Sequence, residues 1–172
     1  MKVLVVSDNH SSDEELHHLV ERHKHEVECM IHCGDSEFDY DAEEMLPFRV
    51  RVRGNCDFDD RYPDELVQTV GNKTIFATHG HLYNVKMTLM KLHYKAKEAQ
   101  ADLVCFGHSH EVLTVFEEGT LFLNPGSVKL PRKPAIQTYA IVEWTSDAIE
   151  VTYHDENGKV IEEISSTFTL SQ

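Results

Sequence analysis

The stretch Leu103-Val104-Cys105-Phe106-Gly107-His108-Ser109-His110 decides how the rest of the chain is read. Leu103 to Phe106 is a short apolar run without helical period, the mark of a buried strand. It ends on Gly107, and two imidazoles then leave the loop with one residue between them. In an extended segment His108 and His110 point to the same side. Imidazole binds Zn, Mn, Fe and Ni strongly. A lone His-x-His is a weak signal, because satisfied loop histidines share that spacing.

Four other stretches have the same build. Lys2 to Val6 is β-branched and apolar, and runs into Ser7-Asp8-Asn9-His10. Cys29 to His32 ends in Cys33-Gly34-Asp35, and Phe48 to Val52 ends in Arg53-Gly54-Asn55-Cys56-Asp57. Lys73 to Thr78 ends in His79-Gly80-His81. Each loop alone has a bland reading: Asp8 as a cap, Asp35 and Asn55 as turn residues beside glycine, and His79 and His81 as ordinary loop side chains. Five coincidences at one structural position are not bland.

Between these strands the chain reads in order. Ser12 with Glu15 predicts a capping box, opening a helix with Leu16, Leu19 and Val20 inside. Glu37 to Glu44 predicts a short helix. Gly71-Asn72 predicts a hairpin between Glu65–Val70 and Lys73–Thr78. Val85 to Ala99 predicts a helix with Met87, Met90 and Leu92 on its inner side. A hairpin follows around Glu118-Gly119, then a turn at Asn124-Pro125-Gly126-Ser127. Tyr139–Trp144, Ile149–Tyr153 and Lys159–Ile164 alternate as an antiparallel meander. The β-α-β opening favours a parallel sheet with ligands at the carboxyl ends of its strands.

Totals bound the remainder. The 172 residues suit one domain, 1–172. No apolar run approaches the ~20 residues of a membrane span, and no leader segment precedes the first strand, so a cytoplasmic location is the default expectation. The four cysteines are scattered and read as reduced, mostly buried thiols, Cys56 among them. Of the twelve histidines, His17, His18, His23 and His25 read as solvated helix residues. Acidic residues outnumber basic ones 30 to 16, giving a net charge of −14 that disfavours binding to a long nucleic-acid backbone. A homo-oligomer is compatible with the sequence.

The five loops, in order, resemble the calcineurin-like metallophosphoesterases, whose pattern is D-x-H, G-D, G-N-H-[DE], a histidine before glycine, and G-H-x-H. Here they stand as Asp8-Asn9-His10, Gly34-Asp35, Gly54-Asn55-Cys56-Asp57, His79-Gly80 and Gly107-His108-Ser109-His110. The size and the Cys56 form are most similar to the compact bacterial and archaeal phosphodiesterase branch, which shares its fold with a retromer subunit.

The resemblance implies an α/β fold: two β-sheets forming a sandwich with helices outside, in four layers. It implies two divalent transition-metal ions, Mn foremost, with Ni, Fe or Zn as alternatives. Asp8, His10 and His110 would hold one, Asn55, His79 and His108 the other, and Asp35 both. The implied activity is hydrolysis of a small phosphate diester by a hydroxide that the two metals activate. The alternative is a non-catalytic scaffold of the same fold. Cys56 departs from the pattern, since a histidine usually there protonates the leaving oxygen. His81 is the candidate substitute, and Asn55 the other candidate catalytic group.

Overall fold

A computed structural model describes residues 1–170. The first strand, β1 (Lys2–Val6), shows why the fold has four layers. Side chains alternate along a strand. Val3 and Val5 therefore enter one core, while Leu4 and Val6 enter another. Both cores are fully buried at these positions, so the strand is apolar throughout.

Strand β1 pairs in parallel with β2 (Cys29–His32), which pairs in parallel with β3 (Val50–Arg51). A second group of strands begins with the hairpin β4 (Glu65–Val70) and β5 (Lys73–Thr78), turned at Gly71-Asn72 as expected. Strand β5 pairs in parallel with β6 (Leu103–Cys105). The hairpin β7 (Val112–Glu117) and β8 (Thr120–Pro125) completes this sheet, with order β4-β5-β6-β8-β7. The chain then returns through β9 (Tyr139–Trp144), β10 (Ala148–His154) and β11 (Ser166–Thr169), giving the first sheet the order β11-β10-β9-β1-β2-β3.

The sheets face each other across a core that includes Val3, Val5, Ile31, Val50, Ile75, Ala77, Leu103 and Cys105. Helix α1 (Asp13–His23) covers the outer face of the first sheet with Leu16, Leu19 and Val20. Burial of such side chains stabilises by about 1.5–3 kcal/mol each. Helix α2 (Met90–Ala99) covers the second sheet with Leu92 and Ala96, packed near Phe76, Val104, Phe106 and Phe122. The expected helix-sheet-sheet-helix sandwich is present. No helix among the described residues is long and apolar enough to cross a membrane.

Several local expectations are corrected. Helix α2 starts at Met90, and residues 84–87 form turns. Met87 and Met90 are 79% and 61% exposed, so neither faces inward. The Ser12 hydroxyl donates to the Glu15 carboxylate at 2.6 Å and caps no backbone N–H. The acidic stretch holds only a short 3-10 turn, Glu43–Met45. The last strand is β11, not Lys159–Ile164, where Val160 makes an isolated bridge and Glu162–Ile164 form another 3-10 turn. His23 is buried, its Nε2 2.8 Å from the Tyr139 hydroxyl. Cys29, Cys33 and Cys105 are buried free thiols, but Cys56 is partly exposed.

Candidate metal centre

All five ligand-bearing loops leave the carboxyl ends of the parallel strands, β1, β2 and β3 in one sheet and β5 and β6 in the other. The two sheets thus bring Asp8, Asp35, Asn55, His79, and His108 with His110 to one end of the sandwich. The local backbone is unusual. Asp8, His10, Asp35, His108 and His110 all have positive φ, at 57°, 43°, 54°, 68° and 58°. The two histidines of the decisive stretch therefore do not converge by extended alternation. Each is aimed by a left-handed residue, a conformation that costs a non-glycine side chain about 1–3 kcal/mol.

Two glycines are required by close approach. A Cβ on Gly107 would overlap the Ser7 hydroxyl and crowd Asp8 Oδ2, and one on Gly54 would overlap Asp35 Oδ1.

Asp8, His10, Asp35 and His110 form a group whose donor atoms lie within 4.8 Å of one another. His110 Nε2 is 3.1 Å from Asp8 Oδ1, and His10 Nε2 is 3.9 Å from it. His79 Nε2 lies 3.4 Å from Asp35 Oδ2 and 4.0 Å from Asp8 Oδ1. The His108 ring stands 5.1 Å from that of His79, and its backbone N–H donates to Asp8 Oδ2. His81 lies further out, its ring 5.4 Å from His79 and 6.1 Å from His108. Asn55 is exposed, and its amide Nδ2 faces Cys56 Sγ at 3.3 Å. Its neighbour's backbone, Cys56 N–H, donates to Asp35 Oδ1 at 2.8 Å.

The ring protons decide what this arrangement can hold. His79 Nδ1 donates to the Cys33 carbonyl at 2.7 Å, His110 Nδ1 to the Leu130 carbonyl at 2.7 Å, and His10 Nδ1 to Glu37 Oε1 at 2.7 Å. Each bond puts the neutral ring's proton on the far nitrogen and turns the Nε2 lone pair toward the carboxylates. His10 Nε2 and His110 Nε2 are 3.4 Å apart. Asp8 Oδ1 and His79 Nε2 are buried and lack a hydrogen-bond partner. Leaving such groups unsatisfied costs about 1–3 kcal/mol each, and more for a charged one. A divalent cation satisfies all of them at once, so the residues fit one.

The titration directions agree. Burial opposes charging of His79, but Asp35 and Asp8 outweigh it and raise its pKa. His110 is raised by its contact with Asp8. Burial pushes Asp35 up, and His79 and the Cys56 N–H overcome it, holding the carboxyl well below the usual range. His108 is driven down to about 4 by burial and by His79.

Several residues build the site without being candidate ligands. Asp57, the last residue of the Gly54-to-Asp57 motif, is one. Its Oδ2 accepts the N–H groups of Asp35 and Gly54 at 2.8 and 2.7 Å, and its Oδ1 accepts the Glu37 N–H and the Ser36 hydroxyl at 2.7 and 3.1 Å. Two strand-end loops hang from one carboxylate. The Asn124–Ser127 turn joins two more: Ser127 donates to the Asp8 carbonyl at 2.7 Å and Asn124 to the Gly107 carbonyl at 2.9 Å.

His32 is another, fully buried at the end of β2. Its Nδ1 accepts the Gly34 N–H at 3.1 Å and its Nε2 donates to Asn9 Oδ1 at 2.9 Å. Burial first lowers its pKa, to about 4. The unfolded chain takes up the proton near pH 6.5, while the folded chain does not. Its contribution is therefore full above pH ~6.5 and is lost as pH falls toward 4, by as much as about 3 kcal/mol. Denaturant unfolding of chelator-treated protein between pH 7 and 4 should show a steeper loss in the parent than in His32→Gln. Equal slopes would contradict this account.

Comparison with known proteins places the chain beside metal-dependent esterases. The calcineurin-like phosphoesterase superfamily domain matches residues 1–147. The chain is 44% identical over 170 residues to the probable metallophosphoesterase YsnB of Bacillus subtilis (strain 168), covering 99% of this chain and 100% of that one. A conserved uncharacterized protein of Streptococcus pneumoniae TIGR4, described as a predicted phosphoesterase, superposes with a TM-score of 0.94 at 33% identity, over 98% of this chain and 97% of that one. Wild-type Vps29 of Entamoeba histolytica, solved with Zn2+, superposes at 0.74 with 21% identity, over 98% and 99% of the two chains. That last likeness is one of fold.

Proposed function

The chain belongs to the calcineurin-like phosphoesterase superfamily, and from that membership we propose that it is a two-metal hydrolase of small phosphate diesters. Asp8, His10 and His110 would hold one divalent ion, Asn55, His79 and His108 the other, and Asp35 both. The observation that carries this reading is the trio of imidazoles anchored through Nδ1, with their Nε2 atoms turned toward two buried carboxylates. A scaffold of this fold could hold a metal as well, so turnover rather than metal binding separates the two readings. Oxygen and nitrogen donors without thiolate suit Mn, Fe, Ni or Zn alike.

When bound, two such cations neutralise the phosphoryl charge and bring the pKa of water toward neutrality. The chain's own residues do the rest. Asp35, fixed by the Cys56 N–H, is oriented to face both ligand sets. Asn55, exposed at the rim, is free to turn from Cys56 and donate its amide to the ester. His81, lowered by burial and by His79, is neutral at pH 7, with a buried and unpartnered Nδ1 that can take up a proton. A diester carries a single negative charge. It meets less repulsion from a protein of net charge −14 than a monoester dianion does.

No strong acid stands at the leaving group. Burial and then Asp35 push the Cys56 thiol up to about 11, which makes it a poor proton donor at neutral pH. Turnover is therefore expected to depend steeply on leaving-group pKa. Metal-loaded protein assayed with substituted phenyl phosphodiesters should favour activated aryl esters over alkyl esters, by roughly the 100- to 10,000-fold that general acid catalysis supplies. A flat dependence would show that an acid is present. Hydrolysis that survives complete removal of divalent ions would overturn the metal-dependent reading itself.

A further inference from the structure

Metal-type donors also gather on the outer side of His10. While His10 Nε2 faces the buried carboxylates, its Nδ1 faces Glu37 Oε1 at 2.7 Å. Cys56 completes a second group, in which one donor atom each from His10, Glu37 and Cys56 lies within 4.8 Å of the others. We infer that His10 Nδ1, Glu37 and Cys56 form an outer cation site for a thiophilic divalent ion of the zinc class, joined to the inner centre through the His10 ring.

The donor chemistry sets this site apart. The inner residues offer oxygen and nitrogen only, whereas the outer group adds sulfur. Sulfur favours Zn2+ and Co2+ over Mn2+ and Mg2+. Three protein ligands leave one tetrahedral position for water. Access is open, since Glu37 is exposed and Cys56 partly so.

The donors are also held in place. The Glu37 backbone, at φ 61°, donates its N–H to Asp57, and the Cys56 N–H donates to Asp35. The present 2.7 Å separation of Nδ1 and Oε1 is that of a hydrogen bond. An ion with bonds of about 2.0–2.2 Å spreads such a pair to roughly 3–3.5 Å, an opening that an exposed glutamate allows. The ion takes the place of the Nδ1 proton and of the thiol proton; both pass to solvent, leaving Cys56 as a thiolate and the His10 ring as an imidazolate that bridges the two sites.

The inference shares His10 with the proposed function, so the test must separate the two. Chelator-treated protein would be titrated with Co2+, followed by visible and near-ultraviolet absorbance and by equilibrium dialysis with elemental analysis. Thiolate bound to Co2+ gives a near-ultraviolet charge-transfer band that oxygen and nitrogen ligands do not. Cys29, Cys33 and Cys105 are sealed between the sheets and do not compete.

The parent is expected to take one more equivalent of Co2+ per chain than Cys56→Ser, with the band appearing on that equivalent. The band should be absent in Cys56→Ser, and Glu37→Gln should bind the equivalent at least ~10-fold more weakly. No near-ultraviolet band in a parent whose other equivalents load would overturn the outer site alone. A band of equal strength in Cys56→Ser would do the same. So would loss of inner equivalents in Glu37→Gln with no band in the parent, which would reduce Glu37 to an orienting partner of His10. A band without any earlier equivalent would instead sink the inner centre and leave the outer site standing.

Discussion

Replacing Asp57 with alanine is expected to lower the unfolding free energy by about 4 kcal/mol and to abolish stoichiometric metal loading. One carboxylate accepts four hydrogen bonds, from the Asp35, Glu37 and Gly54 backbones and from the Ser36 hydroxyl. Bonds to a charged acceptor contribute about 1.5–3 kcal/mol each, and they do not add fully. Alanine leaves the donors without partners. It also removes one of the restraints on the left-handed backbone at Asp35 and Glu37, whose N–H groups both donate to Asp57. For a chain of this length the loss corresponds to roughly 8–16 °C in melting temperature. Calorimetry on parent, Asp57→Ala and Asp57→Asn would measure it, with asparagine intermediate because it keeps one acceptor oxygen. A melting temperature for the alanine variant within about 2 °C of the parent would refute the clamp.

Asp35→Ala should act on chemistry rather than on the fold. The parent is expected to bind about two transition-metal ions per chain, because the proposed ligands form two sets sharing Asp35. The variant should lose both, with affinity down by more than the ~10- to 100-fold that removal of an outer partner costs. Hydrolysis should fall by about a thousandfold or more, since electrostatic stabilisation of the developing charge goes with the ions. Asn55→Ala, at the exposed rim, should weaken one ion only. Elemental analysis after gel filtration gives the stoichiometry, and Asp35→Ala loaded like the parent would remove its shared role. The fold itself should survive, because the Asp35 carboxylate accepts a single backbone hydrogen bond, from Cys56, and its carbonyl keeps the one from His10.

The positions of the loops were legible because each follows a parallel strand and carries glycine or a short polar run, and strand ends are read from apolar period alone. The hairpin at Gly71-Asn72 was legible from its turn residues. Other features depend on tertiary partners. Asp57 is legible as the end of the Gly54-to-Asp57 motif, but its four-bond role shows only once the Asp35 and Gly54 backbones come within 3 Å of it. His23 looks like a solvated imidazole until Tyr139 is placed beside it, and His32 reads only as a strand end until Asn9 is. The start of α2 misled because Met87 and Met90 are apolar but exposed. Leu92 and Ala96, one turn apart, mark the inner face.

The left-handed residues of the centre carry a consequence for descent as well as for chemistry. Asp8, His10, Asp35, His108 and His110 occupy backbone conformations that glycine tolerates more easily. A glycine replacing any of them would discard a proposed ligand and relieve strain of about 1 kcal/mol or more. The loss of metal chemistry in such a lineage is thus downhill for the fold. Selection for turnover has to hold these positions against that slope, and once it relaxes, drift should erase them before it disturbs the strands behind them.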